Sequence, residues 1–230
     1  MSGLFVLHSS FEVVPTANTT GTIAPLYDKA IHKNTIIDAK ASSLYSSLQL
    51  AEKGLSEKAF QHAYKGYQVL LEKELLTNTR YLTICDFTQS SKQKRLYIID
   101  LENNEVLMNT WVAHGRNSGI DKAVKFSNKP SSLQSSLGFY ITQQTYYGAN
   151  GLSLRLNGVE RGFNDKAMRR AIVIHGADYI GDEKKGRSFG CPAVPKEENA
   201  TIINTIKNGT CLFIYYPAKN YLKGSKILNG

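Results

Sequence analysis

Two segments of this 230-residue chain carry residue types suited to covalent chemistry: Ile174-His175-Gly176, and Gly186-Arg187-Ser188-Phe189-Gly190-Cys191-Pro192. A thiol acts as a nucleophile only once ionised, and an adjacent imidazole or a helix N-terminus favours that. His175 ends the all-apolar run Ala171-Ile172-Val173-Ile174, as expected for a strand buried on both faces. Cys191 lies in a loop leading to Pro195, a residue suited to the first position of a helix. Gly190 lets the backbone come close, so its N–H and that of Cys191 can converge on one oxygen as an oxyanion hole. Spacing alone, 191 − 175 = 16 residues, fits two unrelated structural side chains equally well.

Other residues are candidates for the same cleft. His114-Gly115 repeats the His-Gly pair at the end of another β-type run, which raises a zinc site of two histidines and a cysteine. With one cysteine near and no carboxylate at short ligand spacing, no metal is expected, and His114 is expected to line the cleft or to serve structurally. Tyr140, Tyr146 and Tyr147 are expected to wall a groove, with packing as the alternative. Arg187 suits a substrate carboxylate through its planar guanidinium, or is a solvated loop residue. Ser188 either shapes the loop or bonds near the histidine. Cys85 and Cys211 fall inside strand patterns and read as buried hydrophobes.

The elements that must position these residues give an α+β fold class. Residues 1–24 read as a tail, in which Gly3-Leu4-Phe5-Val6-Leu7 is either the end of a signal-peptide apolar region or incidental. Residues 25–78 read as a helical accessory segment. In it Leu44, Leu48 and Ala51 share one face, Gly54 serves as a C′ residue and Ser56 as an N-cap. The next helix carries a packing stripe of Ala59, Phe60, Ala63, Tyr64, Tyr67, Leu70, Leu71 and Leu75. Residues 79–220 read as a β-rich domain, with strands at 81–87, 95–101, 106–114, 138–146, 152–156 and 211–216. A turn is expected at 102–105, and a helix carrying Ile202, Ile203 and Ile206 ends at Asn208-Gly209. Residues 221–230 complete the chain as a C-terminal tail.

A composition of 42% hydrophobic and 20% charged residues excludes disorder and collagen-like sequence. No run approaches the ~18 apolar residues of a transmembrane segment. The net charge of +9 favours polyanionic surroundings. Its basic residues are scattered, in short clusters such as 92–95, Arg169-Arg170 and Lys184-Lys185, with no basic stripe interleaved with aromatics, so nucleic acid is not an expected partner.

The phrases VAHGRNSG, SSLGFYIT, GLSLRLNGVERGFND, AIVIHGADY and GRSFGCPAVP resemble the L,D-transpeptidase (YkuD-type) catalytic domain family, in its murein L,D-transpeptidase branch, over roughly residues 80–217. The resemblance implies Cys191 as nucleophile, His175 as base and the Gly176 carbonyl as the group orienting the imidazole, with Asp178 the competing orienter. It further implies a peptidoglycan stem tetrapeptide as donor, an amine as acceptor, loss of D-Ala, no cofactor, and residence in the bacterial envelope. Phe189 stands where many relatives carry a second histidine, and Pro192-Ala193 where many carry an apolar residue followed by Arg or Asn. Two other readings stay open: an L,D-carboxypeptidase or other cysteine amidohydrolase, and a non-catalytic envelope-binding module.

Overall fold

The computed structural model describes residues 24–180 and 187–230, with side chains from residue 32 onward. The apolar stretch 3–7 and the basic pair at 184–185 lie outside the described residues. The chain divides into two compact units, Met1–Ile36 and Ile37–Gly230. In the first, residues 24–36 are helical. The second holds the sheet and the candidate site.

Helix α1 (Ala24–Ser47) stops before the expected face is complete, and the chain turns through Gln49 at φ 51° and Gly54 at φ 82°. Leu48 and Leu50 are therefore buried within the turn, while Ala51 is exposed. Ser56 then caps α2 (Glu57–Glu72), its Oγ accepting the Ala59 N–H at 3.4 Å. The stripe from Ala59 to Leu70 is buried, whereas Leu75, beyond the helix end, is exposed.

Eight strands form one mixed sheet: β1 (Tyr81–Asp86), β2 (Leu96–Asp100), β3 (Glu105–Thr110), β4 (Gly138–Gly148), β5 (Gly151–Gly158), β6 (Val173–Ala177), β7 (Ala193–Pro195) and β8 (Cys211–Tyr215). Their order is β3-β2-β1-β8-β4-β5-β6-β7, and the parallel pairs are β1/β8 and β6/β7. At the β2–β3 turn the Asp100 carboxylate accepts the N–H groups of Glu102 and Asn103, each at 3.0 Å, and Asn104 takes φ 53°. Helix α2 packs on β1 and β8. Its Phe60 and Leu70 share one hydrophobic core with Leu82, Phe139 and Phe213, so α2 and the sheet are not separately packed.

Two expectations need correction. Pro195 does not open a helix: it pairs with Ala177 in parallel register at the end of β7, and α3 (Asn199–Ile206) starts only at Asn199. As the edge strand, β7 is one of the few places in a sheet that tolerates proline. Residues 219–229 are not a tail but two short helices, α4 (Lys219–Gly224) and α5 (Lys226–Asn229), with Tyr221, Ser225, Ile227 and Leu228 buried. Glu160 holds them down. Its Oε2 accepts the Tyr221 hydroxyl and the Phe139 N–H, both at 2.8 Å, and its Oε1 accepts the Ser225 hydroxyl. Burial raises the pKa of this carboxyl above the ordinary range, against the pull of those three donors. No described helix is long and apolar enough to cross a membrane.

Candidate active site

His175 lies at the centre of β6, with Ser153 of β5 opposite on one side and Ala193 of β7 on the other. Cys191 precedes β7 by two residues, so the parallel pairing carries its loop alongside His175. Both side chains line one cavity of about 450 Å³. His175 Nδ1 is 3.0 Å from the Gly176 carbonyl oxygen. A carbonyl only accepts, so Nδ1 carries a proton, and in the neutral imidazole the lone pair is on Nε2. Asp178, the competing orienter, instead meets Lys196 Nζ at 2.9 Å.

The 188–191 turn is closed by Ser188, whose Oγ donates to the Cys191 carbonyl at 2.5 Å and accepts the Gly190 N–H at 3.1 Å. That second bond engages the Gly190 N–H, one of the two donors expected for an oxyanion hole, within the loop. Gly190 itself takes φ +125°, and a Cβ there would meet Gln134 O at 2.9 Å and Arg170 Nη2 at 3.2 Å. The Ser188 backbone is tied to the 114–116 segment: its N–H donates to His114 O at 2.9 Å, and its carbonyl accepts the Arg116 N–H at 2.7 Å.

Cys191 Sγ faces the carbonyl of Ala171 at 3.7 Å, and Ala171 holds the left-handed φ of 52°. Burial pushes this thiol up, opposed by the Val173 backbone N–H and the Arg170 charge. Among the described residues, the next helix after the thiol, α3, starts only at Asn199, so Cys191 is not at its N-terminus. Cys85 and Cys211 are wholly buried in β1 and β8; burial pushes the first up to about 12 and raises the second as well.

The cavity walls are aromatic and basic. Tyr146 lines it with the Arg155 guanidinium 4.3 Å over its ring, and Tyr179, Arg187 and Phe189 complete the rim. Phe189 is 67% exposed, with Arg116 4.8 Å above its ring. Among the described lining residues there are two arginines, Arg170 and Arg187, and no Asp or Glu.

Two candidates fall elsewhere. Tyr140 is wholly buried in β4, its hydroxyl donating to Ser136 O at 3.0 Å, so it packs the core and walls no groove. His114 is also wholly buried and does not line the cavity. Its Nδ1 accepts from Arg95 Nη2 at 2.8 Å, which places its proton on Nε2, 3.3 Å from Gly119 O. Burial first, and the Arg95 charge second, hold this imidazole down to about 4. A nitrogen so occupied is no ligand for a zinc ion shared with His175 and Cys191. Arg95, grouped by sequence with a surface cluster, is buried with Val112 O and Gln89 O around its guanidinium. Arg170 and Tyr179 were missed as cavity residues. Their signal was position: Arg170 directly precedes the buried apolar run, and Tyr179 follows His175 by four residues.

The family model for the L,D-transpeptidase catalytic domain matches residues 51–215. The chain belongs to that family. Among solved structures, it is similar to an L,D-transpeptidase from Mycobacterium smegmatis, with 12% identity and a TM-score of 0.39 over 60% of this chain and 59% of that one. It is similar to Bd1075 of Bdellovibrio bacteriovorus, with 14% identity and a TM-score of 0.39 over 61% and 50% of the two chains. It is also similar to L,D-transpeptidase 3 from Mycobacterium tuberculosis, with 9% identity and a TM-score of 0.39 over 60% and 61%. The similarity spans about three fifths or less of those proteins' own lengths. A search of curated proteins finds no match.

Proposed function

We propose that this chain is a cysteine acyltransferase acting on peptidoglycan stem peptides, an L,D-transpeptidase with a thioester intermediate on Cys191. The observation that carries the reading is the shared cavity, lined by both an imidazole with a proton fixed on Nδ1 and a partly exposed thiol, in a member of this family. In the first step His175 Nε2 takes the Cys191 proton, and Sγ attacks the carbonyl that precedes the terminal D-Ala. The C–S bond forms, the C–N bond breaks, and the proton passes to the leaving amine. In the second step an acceptor amine gives its proton to Nε2 and attacks the thioester, restoring the thiol. Water in place of the amine makes the reaction an L,D-carboxypeptidase. The Cys191 N–H is the loop donor assigned to the developing oxyanion.

Arg187 on the open rim suits a carboxylate of the stem peptide, and the absence of Asp and Glu among the described lining residues suits a substrate rich in carboxylates. Tyr146 and Phe189 would flank the peptide. The substrate assignment places the protein in the bacterial envelope, and α2 together with residues 79–230 is taken as the catalytic unit.

The test is product mass spectrometry of the wild-type chain and Cys191→Ala with a disaccharide-tetrapeptide, with and without an amine acceptor. Loss of D-Ala from the wild type alone supports the assignment, and dimer against tripeptide separates transfer from hydrolysis. A folded wild type that forms neither an acyl adduct nor product with several stem peptides sinks it and favours the envelope-binding module.

A further inference from the structure

Among the described residues, Arg170 is a half-buried cation whose hydrogen-bond partners carry no negative charge. Its Nη1 donates to Ser127 O at 2.7 Å and to Ser136 Oγ, and its Nη2 to Gln134 O at 2.6 Å and Ser132 Oγ at 3.2 Å. These bonds use all four terminal N–H groups, and every acceptor is a neutral carbonyl or hydroxyl. Among the described residues Arg170 makes no ion pair, and the cavity it lines contains no carboxylate. A cation withdrawn from water is ordinarily paired. The anion this site can produce is the Cys191 thiolate, on the same cavity wall.

We propose that Arg170 is a positioning residue of the active site: a guanidinium fixed by the 127–136 loop, acting through its field on Cys191 as the standing counter-charge of the thiolate. With its terminal N–H groups occupied, it is not built to clamp a substrate carboxylate, a role left to Arg187 on the rim. The absence of a side chain at Gly190 belongs to the same arrangement, since a Cβ there would stand 3.2 Å from Arg170 Nη2 and force the loop and the cation apart. It fills the place that a helix N-terminus would take if α3 began beside Cys191. The interaction is mutual: the Arg170 charge pulls the thiol pKa down against burial, while burial lowers the pKa of Arg170 and Tyr140 and then Cys191 oppose that.

This inference rests on Cys191 as the nucleophile, but its test needs no substrate. The rate of iodoacetamide alkylation of the native chain is followed from about pH 5 to about pH 10 by intact mass, for wild type, Arg170→Gln and Arg170→Lys, with circular dichroism melting to verify folding. Arg170→Gln, which can hydrogen-bond but carries no charge, is expected to alkylate about ten-fold more slowly at neutral pH, its profile displaced to higher pH. Arg170→Lys, which keeps the charge and loses the planar cradle, is expected to stay close to the wild-type profile. A folded Gln variant with the wild-type profile overturns the proposal. If the Gln variant does not fold, the Lys variant decides: a wild-type profile supports the field, and a profile displaced by ten-fold or more overturns it. A wild type that alkylates as expected yet releases no D-Ala removes the stem-peptide substrate and leaves the Arg170 assignment standing.

Discussion

Arg95 donates from Nη2 to His114 Nδ1 across 2.8 Å, so one fully buried side chain fixes the protonation of another. The carbonyl of that histidine receives the Ser188 N–H, which ties the pair to the loop bearing Cys191. Because His114 is held down to about 4 in the folded chain against 6.5 ordinarily, the unfolded chain binds the extra proton between those values. Stability therefore rises with pH across that window, is fully present above it, and is lost as pH falls towards 4. The contribution is roughly 3 kcal/mol. Urea unfolding of wild type and His114→Gln from pH 4 to pH 7 tests it, and the variant is expected to give the flatter profile.

Ser188→Ala removes both hydrogen bonds that close the 188–191 turn. A loosened nucleophile loses turnover more than substrate binding, so kcat for D-Ala release should fall about ten- to a hundred-fold with KM little changed. Unaltered kcat in a folded variant would mean that Ser188 does not position Cys191.

Gly66 inverts an ordinary helix rule. Alanine normally favours a helix interior over glycine by about 1 kcal/mol. Here a Cβ would fall 1.9 Å from Phe139 Cζ, and Phe139 is buried and stacked on Phe213 at 4.1 Å. Gly66→Ala should destabilise by about 1–3 kcal/mol, read as a lower midpoint in chemical denaturation.

Glu160→Ala strands the Phe139 N–H and the hydroxyls of Tyr221 and Ser225 in the core. A loss of about 3 kcal/mol or more is expected. Residues 219–229 should become the first site of limited proteolysis, whereas cleavage that begins elsewhere would detach Glu160 from the docking of the two last helices.

Much of this fold is legible in the sequence where periodicity is strong, as in the stripe from Ala59 to Leu70, and where turn chemistry is local, as at Asp100 to Asn104. It fails where one residue type serves two purposes. Proline suits a first helical position and an edge strand alike, and only the pairing of Pro195 with Ala177 decides. Tyr140 and Tyr146 lie on one strand at even spacing, yet only the first is enclosed. Its stretch of β4 pairs with β8 through Tyr140↔Leu212, while the β4–β5 register shifts between Thr142 and Thr145 before Tyr146 is reached. His114 and His175 have the same local signature, and what separates them is Arg95, nineteen positions before the first. The burial of 219–229 depends on Glu160, a partner no local pattern indicates.

The last strand of the chain, β8, sits in the middle of the sheet, between β1 and β4. Until residues 211–215 leave the ribosome, those two neighbours have no centre to join, and their backbone edges stay open to other chains. Nearly the whole domain must therefore be synthesised before it can close. Folding should be slow, and a nascent chain halted before β8 should be a substrate for chaperones and for aggregation.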